Sequence, residues 1–284
     1  MAGIRAIIDG KETTAQDGMT ILEAAEKVGV HIPTLCYKRE LSPTGVCRIC
    51  VVEVEGSNKL IGACHTPVID GMVVHTQSHK VMMSRKATLE LMLAAHPGPC
   101  ILDPRIEKCE LHKIAAELEL TPQRFRVRQP RSYPVEGVSP YVRRDLSKCI
   151  LCYRCLKACE EIAKKKIYSI GYRGFGSKMI VDCDEPLNKE VCKDCGICID
   201  YCPTGALERP SGWVGKDVKN GDREGGMEQK IFESKNRKKL LEILKTEQEK
   251  SGFVSTEIIS KIAQTLNIGV SEVYGVATFI PFYP

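Results

Sequence analysis

The sequence predicts an α+β fold built from several small modules. Three observations support this: short β-rich runs alternate with turn residues up to residue 78, amphipathic helical patterns follow, and a repeated cysteine run lies further on. A chain of 284 residues is long for one domain, since a domain averages about 150 residues. We therefore predict modules at residues 1–78, 79–125, 140–208 and 230–284, with a linker at 209–229.

The fifteen cysteines are the outlying feature of the composition. The opening stretch "MAGIRAIIDG" has the pattern of a short strand and lacks the features of a secretion signal. No run reaches the roughly 18 apolar residues of a membrane span. We therefore expect a cytoplasmic chain without a membrane span, in which a reducing environment favours metal binding over disulfides.

The formal net charge of +5 raises the question of an anionic partner such as nucleic acid. This count omits the thiolates that metal binding deprotonates. Three iron–sulfur clusters with four thiolates each, at about −2 per oxidised cluster, bring the net charge to about −1. We therefore do not expect a nucleic-acid partner.

The first module combines the predicted strands "IRAIID", "CVVEVEG", "KLIGACHT" and "MVVHTQ" with a predicted helix at "TILEAAEKVG". Its four cysteines are spaced C-x10-C-x2-C-x13-C: Cys36, Cys47, Cys50 and Cys64. Four thiolates complete the ligand set of a [2Fe-2S] cluster. Zinc is the alternative, although zinc sites more often use two close pairs.

The stretch "TLCYKRELSPTGVCRICVVEVEG" favours iron–sulfur. It resembles the plant-type-ferredoxin-like [2Fe-2S] domain that opens the large iron–sulfur subunit of respiratory complex I and of soluble NAD-linked [FeFe]-hydrogenases. The resemblance covers residues 1–78 and includes Gly45 and Arg48 beside the close cysteine pair. It implies a β-grasp domain that holds one [2Fe-2S] cluster.

Two runs, "CILCYRCLKAC" and "CKDCGICIDYCP", share the spacing C-x2-C-x2-C-x3-C. This is the pattern of bacterial ferredoxins with two [4Fe-4S] clusters, in which the fourth cysteine of each run ligates the other cluster. Two ligand sets are therefore expected: Cys149, Cys152, Cys155 with Cys202, and Cys192, Cys195, Cys198 with Cys159. Cys183 lies between the runs and is expected to be a buried thiol.

The segment "SHKVMMSRKATLELMLAAHP" predicts a helix that ends before Pro97 and leaves His96 at its end. The complex I and hydrogenase subunits carry a His-x3-Cys-x2-Cys-x5-Cys motif after such a helix, where it binds a [4Fe-4S] cluster. This chain has Asp103 at the middle cysteine position, and the resemblance implies a third [4Fe-4S] cluster on His96, Cys100, Asp103 and Cys109. A carboxylate suits this soft unit less well than a thiolate. The alternatives are a decayed site with free thiols and a fourth ligand from Cys183.

Beyond this motif "CELHKIAAELEL" predicts a helix that ends at Thr121 and Pro122. Residues 230–284 predict two helices, capped in the second case by Ser255 or Thr256. Residues 252–281 resemble the helical start of the thioredoxin-like [2Fe-2S] subunit of complex I. Because residues 203–284 contain no cysteine, we expect a docking tail or a vestigial fusion without a cluster.

These modules predict an electron-relay subunit of a cytoplasmic multi-subunit oxidoreductase. "GYRGFGSK" does not form a dinucleotide fingerprint, so substrate chemistry is expected in partners. The resemblance implies a flavin/NAD(P) subunit, a thioredoxin-like [2Fe-2S] subunit and a hydrogenase or formate dehydrogenase type catalytic subunit, with ferredoxin as a further partner if the complex bifurcates electrons. A free-standing polyferredoxin-like carrier and a zinc-bound scaffold are the alternatives.

Overall fold

A computed structural model describes residues 3–96, 109–120, 125, 131–137, 139–211 and 229–279, with side chains from residue 239 onward in the last range. The chain forms two compact units, which we describe separately. The first unit comprises Met1–Tyr133, Ser147–Arg154 and Pro203–Ala206. The second comprises Pro134–Leu146, Cys155–Cys202 and Leu207–Pro284.

A five-stranded mixed sheet organises the first unit, in the order β2-β1-β5-β3-β4. Its strands are β1 (Ile4–Ile8), β2 (Lys11–Ala15), β3 (Val51–Val54), β4 (Ile61–Gly62) and β5 (Met72–His75). β1 runs parallel to β5 and antiparallel to β2, and β3 is antiparallel to both β4 and β5. The four predicted strands are confirmed. β2 was not predicted, because "KETTA" places Thr13 and Ala15 at the buried positions instead of large apolar side chains.

Helix α1 (Ile21–Lys27) packs on the sheet through four buried residues at its start: Ile21, Leu22, Ala24 and Ala25. Its N-terminus is closed by a capping box. Thr20 Oγ1 accepts from the Glu23 amide at 3.3 Å, and Glu23 Oε2 accepts from the Thr20 amide at 2.8 Å. This pair fixes where the helix begins, and the loop at 28–50 that follows the helix carries Cys36, Cys47 and Cys50.

Two further helices of the first unit share a second core. Helix α2 (His79–Ala95) is capped by Ser78 and ends at His96, as predicted, and α3 (Glu110–Glu117) begins at Cys109. The core between them contains Leu89, Leu93, Leu111 and Ile114. The predicted end of the second helix, at Thr121 and Pro122, lies outside the described residues, whereas α3 itself ends at Glu117.

The second unit contains two antiparallel strand pairs and two short helices that carry cysteines. The pairs are β6 (Arg143–Arg144) with β9 (Leu207–Glu208), and β7 (Tyr168–Gly171) with β8 (Lys178–Val181). Helix α4 (Arg154–Lys157) continues into a π-helical turn at Ala158–Ile162, and α5 (Ile197–Asp200) follows the second cysteine run.

The tail forms α6 (Gln229–Ser251), α7 (Thr256–Leu266) and α8 (Val270–Phe279). Ser255 caps α7, as predicted. The apolar faces of the three tail helices pack in a core that also includes Ile180 of β8. Helix α8 approaches β7 so closely that a Cβ on Gly275 would lie 2.5 Å from the Ile170 carbonyl oxygen. The tail therefore buries much of its described apolar surface within its own unit, whereas Leu241, Phe253 and Phe279 are exposed. Among the described helices, none combines the length and apolar character needed to cross a bilayer.

Candidate metal centres

The first unit gathers four cysteines between its two cores. Cys50 and Cys64 belong to the sheet core, whereas Cys36 and Cys47 belong to the core around α2. All four are at most 5% exposed. Three pairs of these sulfurs lie close enough to shift one another's pKa: Cys36 with Cys47, Cys36 with Cys64, and Cys50 with Cys64. These three contacts join all four sulfurs into one set, as the sequence spacing predicts for a [2Fe-2S] ligand group.

Because these thiols lie close together, the pKa values of some are lowered and those of others are raised. Hydrogen bonds from Cys47 and then Cys64 lower the pKa of Cys36 to about 2 and raise the pKa values of the two donor thiols. The nearby Cys64 side chain likewise lowers the pKa of Cys50 to about 7, against the opposing effect of burial. The set therefore releases some protons readily and holds others strongly. A bound metal removes this difference, because it deprotonates every coordinating thiol.

Gly45 and Arg48 surround this set as the sequence resemblance implies. Both residues have positive φ, and Arg48 Nη2 donates to the Leu60 carbonyl at 3.0 Å. A Cβ on Gly45 would lie 2.9 Å from Nδ1 of His65, and that nitrogen is 3.5 Å from Cys64 Sγ. Glycine at position 45 therefore leaves space for an imidazole beside a predicted ligand, a role for His65 that the sequence analysis missed.

We expect Gly45→Ala to change the electron paramagnetic resonance (EPR) signal of the [2Fe-2S] centre. A control variant with a similar loss of stability should leave that signal unchanged. The positive φ of +65° costs about 1–2 kcal/mol in an alanine, and the added methyl displaces the His65 ring from Cys64. Gly56→Ala is the matched control, since Gly56 has a φ of +79° and a methyl added there would meet nothing within 4 Å. Thermal unfolding should shift similarly in both variants, and the reduced [2Fe-2S] EPR signal should shift only in Gly45→Ala. Identical spectra in the two variants would contradict this.

Arg85 is a second group that the sequence analysis missed, because an arginine in an amphipathic helix suggests a surface position. It is 2% exposed, and its Nη2 donates to the Val51 carbonyl at 2.8 Å. Burial lowers the pKa of Arg85, and the nearby Cys50 thiolate opposes that shift. Arginine stays protonated even so, and it supplies a buried positive charge beside the cysteine set.

In the second unit, four cysteines line one small cavity: Cys159, Cys192, Cys195 and Cys198. Three come from the second run, and Cys159 is the last cysteine of the first. Apolar side chains, including Val142 and Ile167, complete the wall together with Lys165 and Tyr168. The fold thus brings together the crossed set that the repeat predicts for one [4Fe-4S] cluster.

Burial and mutual repulsion act on these thiols in the same direction. Burial is the largest cause and, together with the charges of Cys159 and Cys195, raises the pKa of Cys192 to about 11. Burial also raises the pKa values of Cys159 and Cys198. Lys165 in the wall opposes this rise for Cys159 and Cys192, but one ammonium group does not balance four anionic sulfurs. The site therefore suits a group that brings positive charge to the thiolates, as iron does.

Tyr168 contacts this set directly. Its hydroxyl lies 3.6 Å from Cys198 Sγ, and the residue is 5% exposed. A cluster-bound thiolate has no proton, so the tyrosine hydroxyl must be the donor when Cys198 is a ligand. Hydrogen bonds to sulfur are one of the means by which a protein sets cluster potential.

We expect Tyr168→Phe to lower the reduction potential of this cluster by roughly 40–80 mV. The estimate takes about 1–2 kcal/mol for the lost hydrogen bond and converts it for one electron. The direction follows because a donor stabilises the more negative, reduced cluster. Tyr274→Phe is the control, since the Tyr274 hydroxyl lies 3.4 Å from that of Tyr172 in the tail core. EPR-monitored redox titration checks the shift, and an unchanged or raised potential in Tyr168→Phe would refute the assignment.

The other crossed set is distributed over the two units. Cys149 and Cys152 belong to the first unit, while Cys155 and Cys202 belong to the second. Their role as a [4Fe-4S] ligand set therefore remains a prediction from the sequence. Cys183 is half-buried and packs against the tail core, where burial raises its pKa.

The remaining predicted set falls partly outside the described residues, since Cys100 and Asp103 are not among them. His96 and Cys109 are buried. His112 joins them, with its Nδ1 3.1 Å from Cys109 Sγ, and burial lowers the pKa of this imidazole. The sequence analysis missed His112, although its position three residues after Cys109 places both on one helix face.

Comparison with known proteins defines the class of these domains. Residues 2–79 match the family model of a 2Fe-2S iron-sulfur cluster binding domain, and residues 139–208 match the ferredoxin-like domain of NADH-quinone oxidoreductase subunit 3. Residues 228–284 match a thioredoxin-like [2Fe-2S] ferredoxin. The chain therefore carries mixed α/β ferredoxin-like domains that bind iron–sulfur clusters, which confirms iron–sulfur over zinc as the main metal chemistry.

Individual relatives agree with the predicted resemblance. The chain is 38% identical over 218 residues to the NADP-reducing hydrogenase subunit HndD of Solidesulfovibrio fructosivorans, covering 73% of this chain and 36% of the relative. It is 32% identical over 208 residues to the mitochondrial NADH-ubiquinone oxidoreductase 78 kDa subunit of Candida albicans, covering 73% and 28% respectively. The chain thus spans little more than a third of the length of HndD.

A solved structure extends this likeness to the fold. The match is to a chain in the crystal structure of an NAD+-reducing [NiFe]-hydrogenase in the H2-reduced state, with a TM-score of 0.64 and 26% identity. It covers 76% of this chain and 92% of that chain. The predicted resemblance to electron-transfer subunits of hydrogenases and complex I is therefore confirmed.

Proposed function

We propose that this chain is the electron-transfer iron–sulfur subunit of a cytoplasmic multi-subunit oxidoreductase of the hydrogenase or formate dehydrogenase type. The proposal rests on two sets of neighbouring cysteines, one in each unit. Each set has the composition of a ferredoxin-type ligand group. Clusters held in this way accept and donate single electrons. Within such a complex, the chain would conduct electrons between catalytic partners.

The ligand assignment in this proposal follows the spacing and the contacts. A [2Fe-2S] cluster would bind in a plant-type-ferredoxin-like β-grasp domain to Cys36, Cys47, Cys50 and Cys64. Two [4Fe-4S] clusters would bind in a bacterial-type ferredoxin module, one to Cys159, Cys192, Cys195 and Cys198, the other to Cys149, Cys152, Cys155 and Cys202. The chain's own contribution is to bury the sulfurs and to place His65, Arg85 and Tyr168 beside them, since burial and hydrogen bonds tune cluster potentials.

The proposed partners follow from what the relatives are called. A hydrogenase subunit that reduces NADP, an NADPH-Fe(3+) oxidoreductase subunit alpha from Geobacter sulfurreducens (38% identical over 201 residues) and an NAD+-reducing [NiFe]-hydrogenase all couple a nicotinamide nucleotide to a second redox reaction by name. We therefore propose a flavin/NAD(P) subunit, a thioredoxin-like [2Fe-2S] subunit and a hydrogenase or formate dehydrogenase type subunit as partners. Ferredoxin would be a further partner in a bifurcating complex.

Anaerobic purification tests the relay proposal at two levels. Three clusters require about ten irons and about ten acid-labile sulfides per chain, with distinct EPR signals from reduced [2Fe-2S] and [4Fe-4S] centres. Affinity capture of the tagged chain from its native cells should recover a flavin-containing subunit, and the captured complex should reduce the clusters with NADH or NADPH. Loaded clusters that neither nucleotide reduces in the captured complex would refute the proposed partnership.

One structural observation favours the second candidate, a free-standing polyferredoxin-like carrier. The apolar faces of the tail helices pack within the chain's own second unit, together with Ile180 and Cys183. Much of the described apolar surface of the tail is therefore buried without a partner. A chain that purifies from native cells as a monomer, with its clusters reduced by several unrelated reductases at similar rates, would favour the carrier. Deleting residues 230–284 is a poor test, because it would expose Ile180.

A further inference from the structure

Three donor atoms of the first unit meet beside α3. The ligand atoms of His96, Cys109 and His112 all lie within 4.8 Å of one another. Cys109 Sγ is 3.1 Å from His112 Nδ1 and 3.9 Å from His96 Nε2, and the two imidazole rings have centroids 5.5 Å apart. His96 and Cys109 are 7% and 4% exposed. Two imidazoles and one thiol thus converge on a single buried point.

The fold holds these donors in place from three backbone positions. His96 is the residue at which α2 ends, Cys109 is the N-cap of α3, and His112 lies one turn into that helix. Cys109 and Leu93 belong to the same core, in which α2 packs against α3. Packing of α2 against α3 therefore brings the two imidazoles and the sulfur together.

The distances fit ligands of one metal ion. Metal–sulfur bonds of about 2.3 Å and metal–nitrogen bonds of about 2.0–2.1 Å, at tetrahedral angles, separate the sulfur and nitrogen donors by roughly 3.5 Å. The two observed separations lie on either side of this value. In a [4Fe-4S] cubane each protein ligand binds a different iron, so His96 Nε2 and Cys109 Sγ, the two described donors of the predicted set, would have to lie well beyond their observed separation of 3.9 Å. The described residues of this set therefore do not fit the cubane that the sequence resemblance implies.

We propose that His96, Cys109 and His112 bind a single zinc ion at this position. Zinc takes tetrahedral sites of mixed cysteine and histidine ligands, and three protein donors suffice to hold it, with a fourth ligand completing the tetrahedron. His112 supplies the donor that the substitution at Asp103 removes from the His/Cys motif. The site would brace the junction of α2 and α3 without exchanging electrons. This inference is separate from the relay proposal, which requires the other three clusters.

Metal analysis of the anaerobically purified full-length chain tests the site. We expect about one zinc per chain beside about ten irons, and His112→Ala should reduce zinc at least fivefold while leaving iron unchanged. His75→Ala is the matched control, since the His75 imidazole contacts the Glu55 carboxylate at 3.0 Å on the surface and that residue is half-exposed. This variant should keep both metals.

A second measurement separates metal loss from misfolding. The [2Fe-2S] EPR signal of the first unit must persist in His112→Ala, and cobalt exchanged for zinc in the unmodified chain should give a thiolate-to-cobalt absorption band that His112→Ala loses. About 13 or 14 irons per chain without zinc would overturn the proposal in favour of a third cubane. Zinc below half an equivalent, or full zinc retention in His112→Ala, would overturn it as well. An iron content well below ten would instead count against the relay proposal.

Discussion

The double substitution Cys159→Ala/Cys198→Ala should remove about four irons per chain, the content of a single [4Fe-4S] cluster. The two cysteines come from different runs of the repeat, yet both line the same cavity. If each run enclosed its own cluster, the same double variant would damage two clusters and remove up to about eight irons. The size of the loss therefore distinguishes crossed from uncrossed ligation.

Cys183→Ala is the control for this experiment. Cys183 is a half-buried thiol that packs against the tail core, and it has no place in either predicted ligand set. Its substitution should leave iron and sulfide unchanged. Iron and sulfide analysis, together with the intensity of the reduced [4Fe-4S] EPR signal, measures both variants. A loss near eight irons in the double variant, or any loss in Cys183→Ala, would contradict the assignment.

Arg154→Met should destabilise the first unit by about 1–3 kcal/mol, because a half-buried carboxylate loses two charge-assisted hydrogen bonds. The Arg154 side chain is 1% exposed and donates to both Glu110 carboxylate oxygens at 2.8 Å. Without it, the partly buried carboxylate keeps Lys38 at 3.3 Å as its cationic partner. The apparent unfolding midpoint under anaerobic conditions should fall by roughly 2–12 °C.

Arg143→Met is the control, because Arg143 makes an ion pair of similar length with Glu208, at 2.7 Å, but both side chains are about two-fifths exposed. That loss should stay near 1 kcal/mol or below. Burial would raise the pKa of Glu110, but Arg154 and Lys38 outweigh it and lower the pKa. The pair's contribution is therefore fully present above the ordinary carboxyl pKa, and the Arg154→Met loss should be equal at about pH 6 and pH 8. Equal losses of stability in Arg154→Met and Arg143→Met would show that burial does not strengthen the Arg154–Glu110 ion pair.

Several features of this chain were predictable because they are local. Short cysteine spacings restrict which sulfurs can wrap one cluster, so the sets around Cys36 and Cys192 followed from the sequence. Periodic apolar residues and capping residues such as Ser255 located the helices. Strand β2 escaped prediction, since its buried face consists of small and polar residues whose burial depends on the neighbouring strand.

The residues that surround the clusters could not be predicted in the same way. Tyr168 precedes Cys198 by thirty positions, and Arg85 reaches the carbonyl of Val51 from a different element. Nothing in the spacing of such residues marks them as neighbours of a ligand. His112 is intermediate, because helical periodicity places it near Cys109, but its proximity to His96 depends on how α2 and α3 pack.

The sequence by itself determined the iron–sulfur chemistry of this protein, because the number and spacing of thiols decide which metal groups a flexible loop can enclose. The tertiary structure decided which charges and hydrogen-bond donors face those thiols, and that the tail helices are buried in the second unit. Those contacts join residues distant in the chain, and they form when apolar surfaces leave water and bring separate elements together.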